Sequence, residues 1–240
     1  MYNKIVETLD KSNSIYSEQF NETYHSINGA ISESEHIYIN LGLKYILYNN
    51  NSINNKKDKK INIFEMGFGT GLNVLLTIAE LEKYNLKTSQ NLNIDYYTCE
   101  KYPLKDEIIS TLNYPELISI PNIDVNILFN KIHKNDWNKW NKINSNFKLY
   151  KFQGDIKDID LFDMSESFEI VYFDAFSPGV QPDLWEEAIL QKMYNILSDQ
   201  GVLVTYCAKN KFKKLLRDIG FTVNNYPGPL GKREVTAAVK

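Results

Sequence analysis

Asp174 stands at the end of the apolar run Val171-Tyr172-Phe173 and opens the turn Asp174-Ala175-Phe176-Ser177-Pro178. An acid there falls at the carboxyl edge of a sheet, where it can orient an amine or take a proton from one. The same residue type also caps turns before proline, so position alone leaves both roles open. Three further segments carry polar chemistry directly after strand-like runs. The first is Glu65-Met66-Gly67-Phe68-Gly69-Thr70-Gly71-Leu72-Asn73. Its G-x-G-x-G spacing matches neither the dinucleotide fingerprint nor the phosphate loop, and no lysine follows to meet a triphosphate. Glu65 would repel a pyrophosphate but suits the cationic amino-acid end of a ligand. The second is Cys99-Glu100, where Glu100 can accept both hydroxyls of a ribose. In the third, Gln153-Gly154-Asp155, Asp155 can accept a hydrogen bond from an adenine amino group. Each signal alone is weak, but three after three successive strands describe a pocket for S-adenosylmethionine.

Other chemistries find no support. His25, His36 and His133 include no i, i+4 pair with an intervening Glu, and no G-x-S-x-G elbow occurs. Cys99 and Cys207 are too few for a disulfide framework or a zinc site. No apolar run approaches the roughly 20 residues that span a bilayer, and the first residues lack a secretory pattern. These features predict a reduced, cytoplasmic protein with no membrane and no metal.

The elements that must position these residues follow from periodicity. Strand-like segments lie at 61–66, 92–99, 147–152, 168–173, 201–206, 220–225 and 234–239. Helical spacing marks 71–84, 104–112, 182–197 and 210–219. Strands alternating with helices predict an α/β, Rossmann-like chain with a mostly parallel sheet, and the last two strands predict an antiparallel edge. The polar stretch from Asn49 to Lys60 reads as an exposed loop. It divides an N-terminal segment (1–55) from the main body (56–240), in which 113–146 reads as an insertion with a Trp137/Trp140 pair. At 240 residues, 43% of them hydrophobic, the chain can bury roughly 70% of its unfolded surface. A net charge of −3 argues against indiscriminate nucleic-acid binding. The basic residues nevertheless cluster at 56–60, at Lys209-x-Lys211-x-Lys213-Lys214 with Arg217, and at Lys232-Arg233, as solvated faces or as local phosphate contacts.

Taken together, five motifs resemble the methyltransferase domain of the tRNA 5-methylaminomethyl-2-thiouridine biosynthesis proteins. They are Phe20-Asn21-Glu22-Thr23-Tyr24-His25-Ser26, Glu33-Ser34-Glu35-His36, the 65–73 loop, Tyr172 to Pro178 followed by Pro182-Asp183-Leu184-Trp185, and Gly228 to Glu234. The resemblance covers roughly 16–240. It implies a class I S-adenosylmethionine-dependent methyltransferase acting on the primary amine of 5-aminomethyl-(2-thio)uridine at the wobble position of tRNA. Glu65, Gly67, Phe68, Gly69, Thr70, Gly71, Asn73, Glu100, Gly154 and Asp155 are expected to bind the cofactor, and Asp174 to be catalytic. Tyr24 and Glu33, from an N-terminal segment folded over the site, are expected to contact the amine or base. Phe176 would flank the ring, Lys232 and Arg233 would meet phosphate, and Lys209 to Arg217 would form an outer footprint. Many relatives carry a C-terminal flavin-dependent oxidoreductase. With the sequence ending at Lys240, the expectation is no FAD domain here and an aminomethyl substrate supplied by another route. A small-molecule amine methyltransferase and a non-catalytic nucleotide- or tRNA-binding module are the alternatives, and a nicotinamide-dependent oxidoreductase is disfavoured by the glycine spacing.

Overall fold

A computed structural model describes residues 3–49 and 60–240. Residues 50–59 of the polar stretch read as a loop, with its lysines at 56, 57 and 59 and the 55/56 boundary, lie outside the described residues, while Asn49 ends a helix and Lys60 opens a strand. The central sheet has eight strands: β4 (Lys60–Met66), β5 (Asn93–Glu100), β6 (Trp140–Lys142), β7 (Phe147–Gln153), β8 (Phe168–Phe173), β9 (Leu197–Thr205), β10 (Thr222–Pro227) and β11 (Glu234–Val239). Their order is β10-β11-β9-β8-β4-β5-β7-β6, with β9, β8, β4, β5 and β7 parallel. The chain builds outward from β4 to β5 and β7, then returns to place β8 and β9 on the other side. The switch point therefore lies between β4 and β8, where open parallel sheets bind ligands. This is the Rossmann-like, mostly parallel α/β architecture predicted from the strand–helix alternation, with β10 and β11 as the antiparallel edge.

Burial follows the two-residue period of a strand. Ile63, Tyr96 and Ile170 point to one apolar layer, whereas Phe64, Tyr97 and Val171 point to the other. The first layer is completed by α3 (Leu72–Thr88) and α6 (Val125–Lys134), the second by α7 (Glu187–Ile196) and α8 (Asn210–Ile219). In β8 all six residues of Phe168–Phe173 are buried, as a strand covered on both faces requires.

Before the sheet comes a small antiparallel ribbon of β1 (Asn3–Glu7), β2 (Asn13–Ser17) and β3 (Glu22–Thr23). Helix α1 (Ala30–Ser34) then runs through a π-helical stretch (Glu35–Leu43) into α2 (Lys44–Asn49). That stretch packs on the first face so tightly that a Cβ on Gly42 would lie 2.9 Å from Tyr172. π-Helical turns are rare and often mark functional sites.

Several boundaries differ from the sequence reading. The helix expected over 104–112 shrinks to α4 (Asp106–Ile109). Ser110 and Thr111 turn their hydroxyls back onto the carbonyls of Glu107 and Ile108, a competition that ends helices. The helix expected over 182–197 is a 3₁₀ turn (Pro182–Trp185) followed by α7, because Glu186 is extended and Trp185 is buried beside Phe173 and Phe212. Strand β9 begins four residues before Gly201, at Leu197, which pairs with Phe168. The 113–146 insertion holds α5 (Tyr114–Leu117), α6 and β6, and β6 adds a second antiparallel edge that the sequence reading lacks.

Candidate active site

Strand register aligns the segments singled out in the sequence. Met66 lies opposite both Cys99 and Phe173, and Glu100 lies opposite Gln153. The residues that follow these positions converge on one cavity of about 280 Å³. Its walls include Gly67 to Thr70 and Asn73, Glu100, Gly154 and Asp155, and Asp174 and Phe176. Glu22, Tyr24 and Glu33 close it from the N-terminal segment.

The glycine loop starts where β4 and β8 part. Gly67 has φ +94°, and a Cβ there would lie 2.5 Å from the Asp174 carbonyl oxygen. No other residue allows that approach of backbone to backbone. Gly69 N–H donates to Glu100 Oε2 at 3.0 Å, and Tyr102 N–H to Oε1 at 2.8 Å. Burial raises the Glu100 pKa above the usual carboxylate range, and these donors oppose the shift. Asp155 feels the same burial, but Lys157 N–H (3.0 Å) and the Lys101 ammonium (2.9 Å) outweigh it and lower its pKa.

Asp174 is half-buried in the turn after β8. Its Oδ1 accepts from Tyr38 Oη at 2.6 Å, and its Oδ2 from Asn73 Nδ2 at 2.8 Å. Burial nevertheless pushes its pKa up to about 7 from an ordinary 3.8. The two donors and the Lys232 charge pull it down, while Glu33 adds to the rise. A carboxyl poised there exchanges a proton near neutral pH. Tyr24 meets Phe176 edge-on with ring centroids 5.0 Å apart, and Phe20 lies 4.4 Å from Phe176 on its ring centroid. Burial, reinforced by Glu100, keeps the Tyr24 phenol protonated.

Other sequence candidates fall differently. Glu65 is fully buried and does not line the cavity. In β4 it shares the face of Ile63, which lies in the first apolar layer, so the expected contact with a ligand's cationic end is not made by this side chain. Gly71 opens α3 with φ +71° and is also outside the lining. Lys232 lines the cavity, pairs with the buried Glu33 carboxylate and lies 4.8 Å over the Tyr206 ring, so it is not a free phosphate contact. Arg233 is exposed and lies beyond the lining. In the footprint, Lys213 is buried against Glu234 at 2.9 Å, which leaves Lys209, Lys211, Lys214 and Arg217 exposed.

Several contributors escaped the sequence reading. Tyr38 holds Asp174 from 136 residues away. Glu22 accepts from Ser177 N–H (3.2 Å) and Oγ (2.9 Å), tying β3 to the turn after Asp174. His25 Nε2 lies 2.7 Å from Thr70 Oγ1, and His133 Nε2 donates to the Thr70 carbonyl at 3.1 Å. Burial depresses both imidazoles to about 4, so two neutral histidines clamp the glycine loop from distant parts of the chain. Spacing gave no hint of this pair. Lys151 is fully buried, and its ammonium donates to the carbonyls of Ile132 (2.9 Å) and His133 (2.7 Å) at the end of α6. It also lies 4.8 Å from the Trp137 ring and 5.4 Å from the Phe68 ring.

Among the described residues no group of three or more His, Cys, Asp or Glu side chains could hold a metal, and no helix is long and apolar enough to cross a membrane. The lining fits S-adenosylmethionine and not a phosphate. Backbone approaches closely at Gly67, and Glu100 and Asp155 offer acceptors for a nucleoside.

Comparison with known proteins agrees. Residues 127–240 match a family described as S-adenosyl-L-methionine-dependent methyltransferase. The chain is 28% identical, over 91% of its length, to the tRNA 5-methylaminomethyl-2-thiouridine biosynthesis bifunctional protein MnmC of Leptospira borgpetersenii. It is 29% identical, over 93% of its length, to the protein of that name from Legionella pneumophila. It spans about a third of each relative, 32% and 34% respectively. Among solved structures, MnmC2 from Aquifex aeolicus matches with a TM-score of 0.73 and 24% identity, covering 99% of this chain and 70% of that one. Spermidine synthase from Thermotoga maritima matches with a TM-score of 0.54 and 15% identity, covering 100% and 72%. The structural likenesses show the fold, and the sequence likeness to the two MnmC proteins runs over 91% and 93% of the chain.

Proposed function

We propose that this S-adenosylmethionine-dependent methyltransferase methylates the primary amine of a 5-aminomethyl-uridine, 2-thiolated or not, at the wobble position of tRNA. The observation that carries the reading is Asp174: a carboxyl at the switch point, facing the cavity, with a pKa near neutrality. The relatives named above are assigned to 5-methylaminomethyl-2-thiouridine biosynthesis in tRNA, and a methylated amine is the product such a carboxyl would serve.

The bound cofactor would supply an electrophilic sulfonium methyl group. Glycine-loop backbone, Glu100 and Asp155 would hold it. An incoming ammonium pairs with the ionised Asp174 and gives up a proton to it, which frees the nitrogen lone pair for in-line attack. Tyr38 and Asn73 fix the carboxylate, so the amine meets an acceptor already in place. Tyr24, Phe176 and Phe20 offer aromatic faces to a pyrimidine, and their packing excludes water from one side. Lys209, Lys211, Lys214, Arg217 and Arg233 provide accessible cations for backbone phosphate. A tRNA substrate places the enzyme in the cytoplasm.

The test is transfer of labelled methyl from S-adenosylmethionine to tRNA from cells lacking this activity, followed by nucleoside analysis. A labelled 5-methylaminomethyl-uridine, thiolated or not, is the expected product. Label in free amines but not in tRNA would overturn the substrate assignment, and tRNA binding without cofactor affinity would overturn the enzyme assignment.

A further inference from the structure

Glu65 is the one strongly acidic side chain of the glycine-loop motif that the chemistry above leaves unused. It lies under the loop with no exposed surface. Tyr96 and Thr98 face it from β5, with Cys99 next along that strand; Asn73 faces it from α3, Tyr172 from β8, and Asp174 from the turn after β8. None brings a positive charge, and Asp174 would bring a negative one. A buried carboxylate with no cation is strongly disfavoured, whereas a buried carboxylic acid needs only one acceptor for its proton.

That acceptor is present. Asn73 directs its Nδ2 to Asp174 at 2.8 Å, and the amide plane then sends Oδ1 the other way. Asn73 Oδ1 is buried and receives no donor from any group in its ordinary charge state. Both Glu65 oxygens are likewise buried without a partner. A proton on Glu65 gives Asn73 Oδ1 its donor, which an ionised Glu65 cannot do, whereas the Tyr96 and Thr98 hydroxyls, themselves buried without a partner, can donate to Glu65 in either state.

We infer that Glu65 is held as a neutral carboxylic acid and acts as a positioning residue, its proton directed to Asn73 Oδ1 so that the Asn73 amide is locked with Nδ2 on the Asp174 carboxylate. The inference rests on the catalytic reading of Asp174. Burial agrees with it, pushing the Glu65 pKa up to about 8, with Asp174 adding to the rise and the surrounding donors opposing it. As pH passes about 8, Glu65 loses the proton, Asn73 is free to flip, and a second negative charge appears beside Asp174.

Two variants and one difference spectrum test this. Glu65→Leu removes the donor and should lower kcat about tenfold with little change in the KM for S-adenosylmethionine. Glu65→Gln keeps an uncharged donor and should restore kcat near pH 7 and abolish the alkaline decline that the wild type shows above pH about 8. A large loss of cofactor affinity in Glu65→Gln would overturn the inference in favour of an ionised contact, and an unchanged alkaline limb would overturn it too. Infrared difference spectra of Asp174→Asn against Asp174→Asn/Glu65→Gln need no turnover. A protonated-carboxyl band near neutral pH, present only in the first, is expected, and its absence refutes the inference. If tRNA proves not to be methylated, that band still decides the state of Glu65.

Discussion

Asp174→Asn separates catalysis from stability in one substitution. The replacement fits: the introduced amide's oxygen can take the Asn73 Nδ2 donor, while its nitrogen meets Tyr38 Oη, which also accepts. The fold should therefore survive. What is lost is the proton acceptor, and general-base groups contribute about 10²- to 10⁴-fold, so kcat should fall by about that factor while cofactor affinity holds. The wild type should show kcat rising about tenfold per pH unit below about 7, as Asp174 ionises, and levelling from there to about 8, where loss of the Glu65 proton begins to lower it. The variant should show no such rise. Stability should move the other way. The folded pKa of about 7 exceeds the ordinary 3.8, so the stabilising protonation is fully present below 3.8 and is lost as pH rises through 7. A shift of about three units corresponds to at most about 4 kcal/mol against the ionised wild type. Asp174→Asn should then melt several degrees higher than the wild type near pH 8 and match it near pH 4, which scanning fluorimetry at both pH values would read. Turnover within threefold of wild type, or equal melting points at pH 8, would refute the reasoning.

Three further substitutions probe the frame around the site. Gly67→Ala places a Cβ 2.5 Å from the Asp174 carbonyl at a φ of +94°. It should weaken S-adenosylmethionine binding in calorimetric titration and cost about 1–3 kcal/mol in urea unfolding. Lys151→Met leaves the Ile132 and His133 carbonyls unpaired, which should also cost about 1–3 kcal/mol. Burial lowers the folded Lys151 pKa from 10.5 to about 8, so the unfolded chain holds its proton more tightly between those values. The wild type should therefore gain on this variant as pH rises from 8 toward 10.5; a constant difference across that window would count against a buried, titrating ammonium. For the Glu33–Lys232 pair, whose side chains are 10% and 28% exposed, Glu33→Gln or Lys232→Met alone should destabilise more than the two together. A double-mutant cycle showing simple additivity would mean that the pair is not coupled.

The strand ends were legible because they depend on local features: apolar runs, glycines and the acids that follow them. Parallel register then brings Gly67, Glu100, Gly154 and Asp174 to one edge without further information. The partners of those residues were not legible, because they arrive from distant sequence. Nothing near Asp174 announces Tyr38, and nothing near Thr70 announces His25 or His133. Glu65 was misplaced for a different reason. Its motif suggested a ligand contact, but the two-residue alternation from Ile63 already put it on the face beneath α3, and pattern should have outranked motif. Lys213 failed in the opposite sense. A charge run reads as a solvated face, yet this lysine lies beside the buried Phe212 and finds Glu234 across the fold.

The acidic character of the chain also acquires a location. The cavity is lined by six carboxylates, Glu22, Glu33, Glu100, Asp155, Asp174 and Asp183, against two lysines, Lys101 and Lys232. Both lysines are engaged, with Asp155 and Glu33 respectively. Such an interior attracts cations and repels phosphate, which suits a sulfonium donor and an ammonium acceptor alike. A polyanion cannot enter it, but a single base carrying an aminomethyl arm can, provided the flanking phosphates stay outside. Those phosphates would meet Lys209, Lys211, Lys214, Arg217 and Arg233, all exposed. On the proposed reading, the acidic cavity would select the amine, and the exposed cations at 209–217 with Arg233 would carry the part of the affinity that salt can screen.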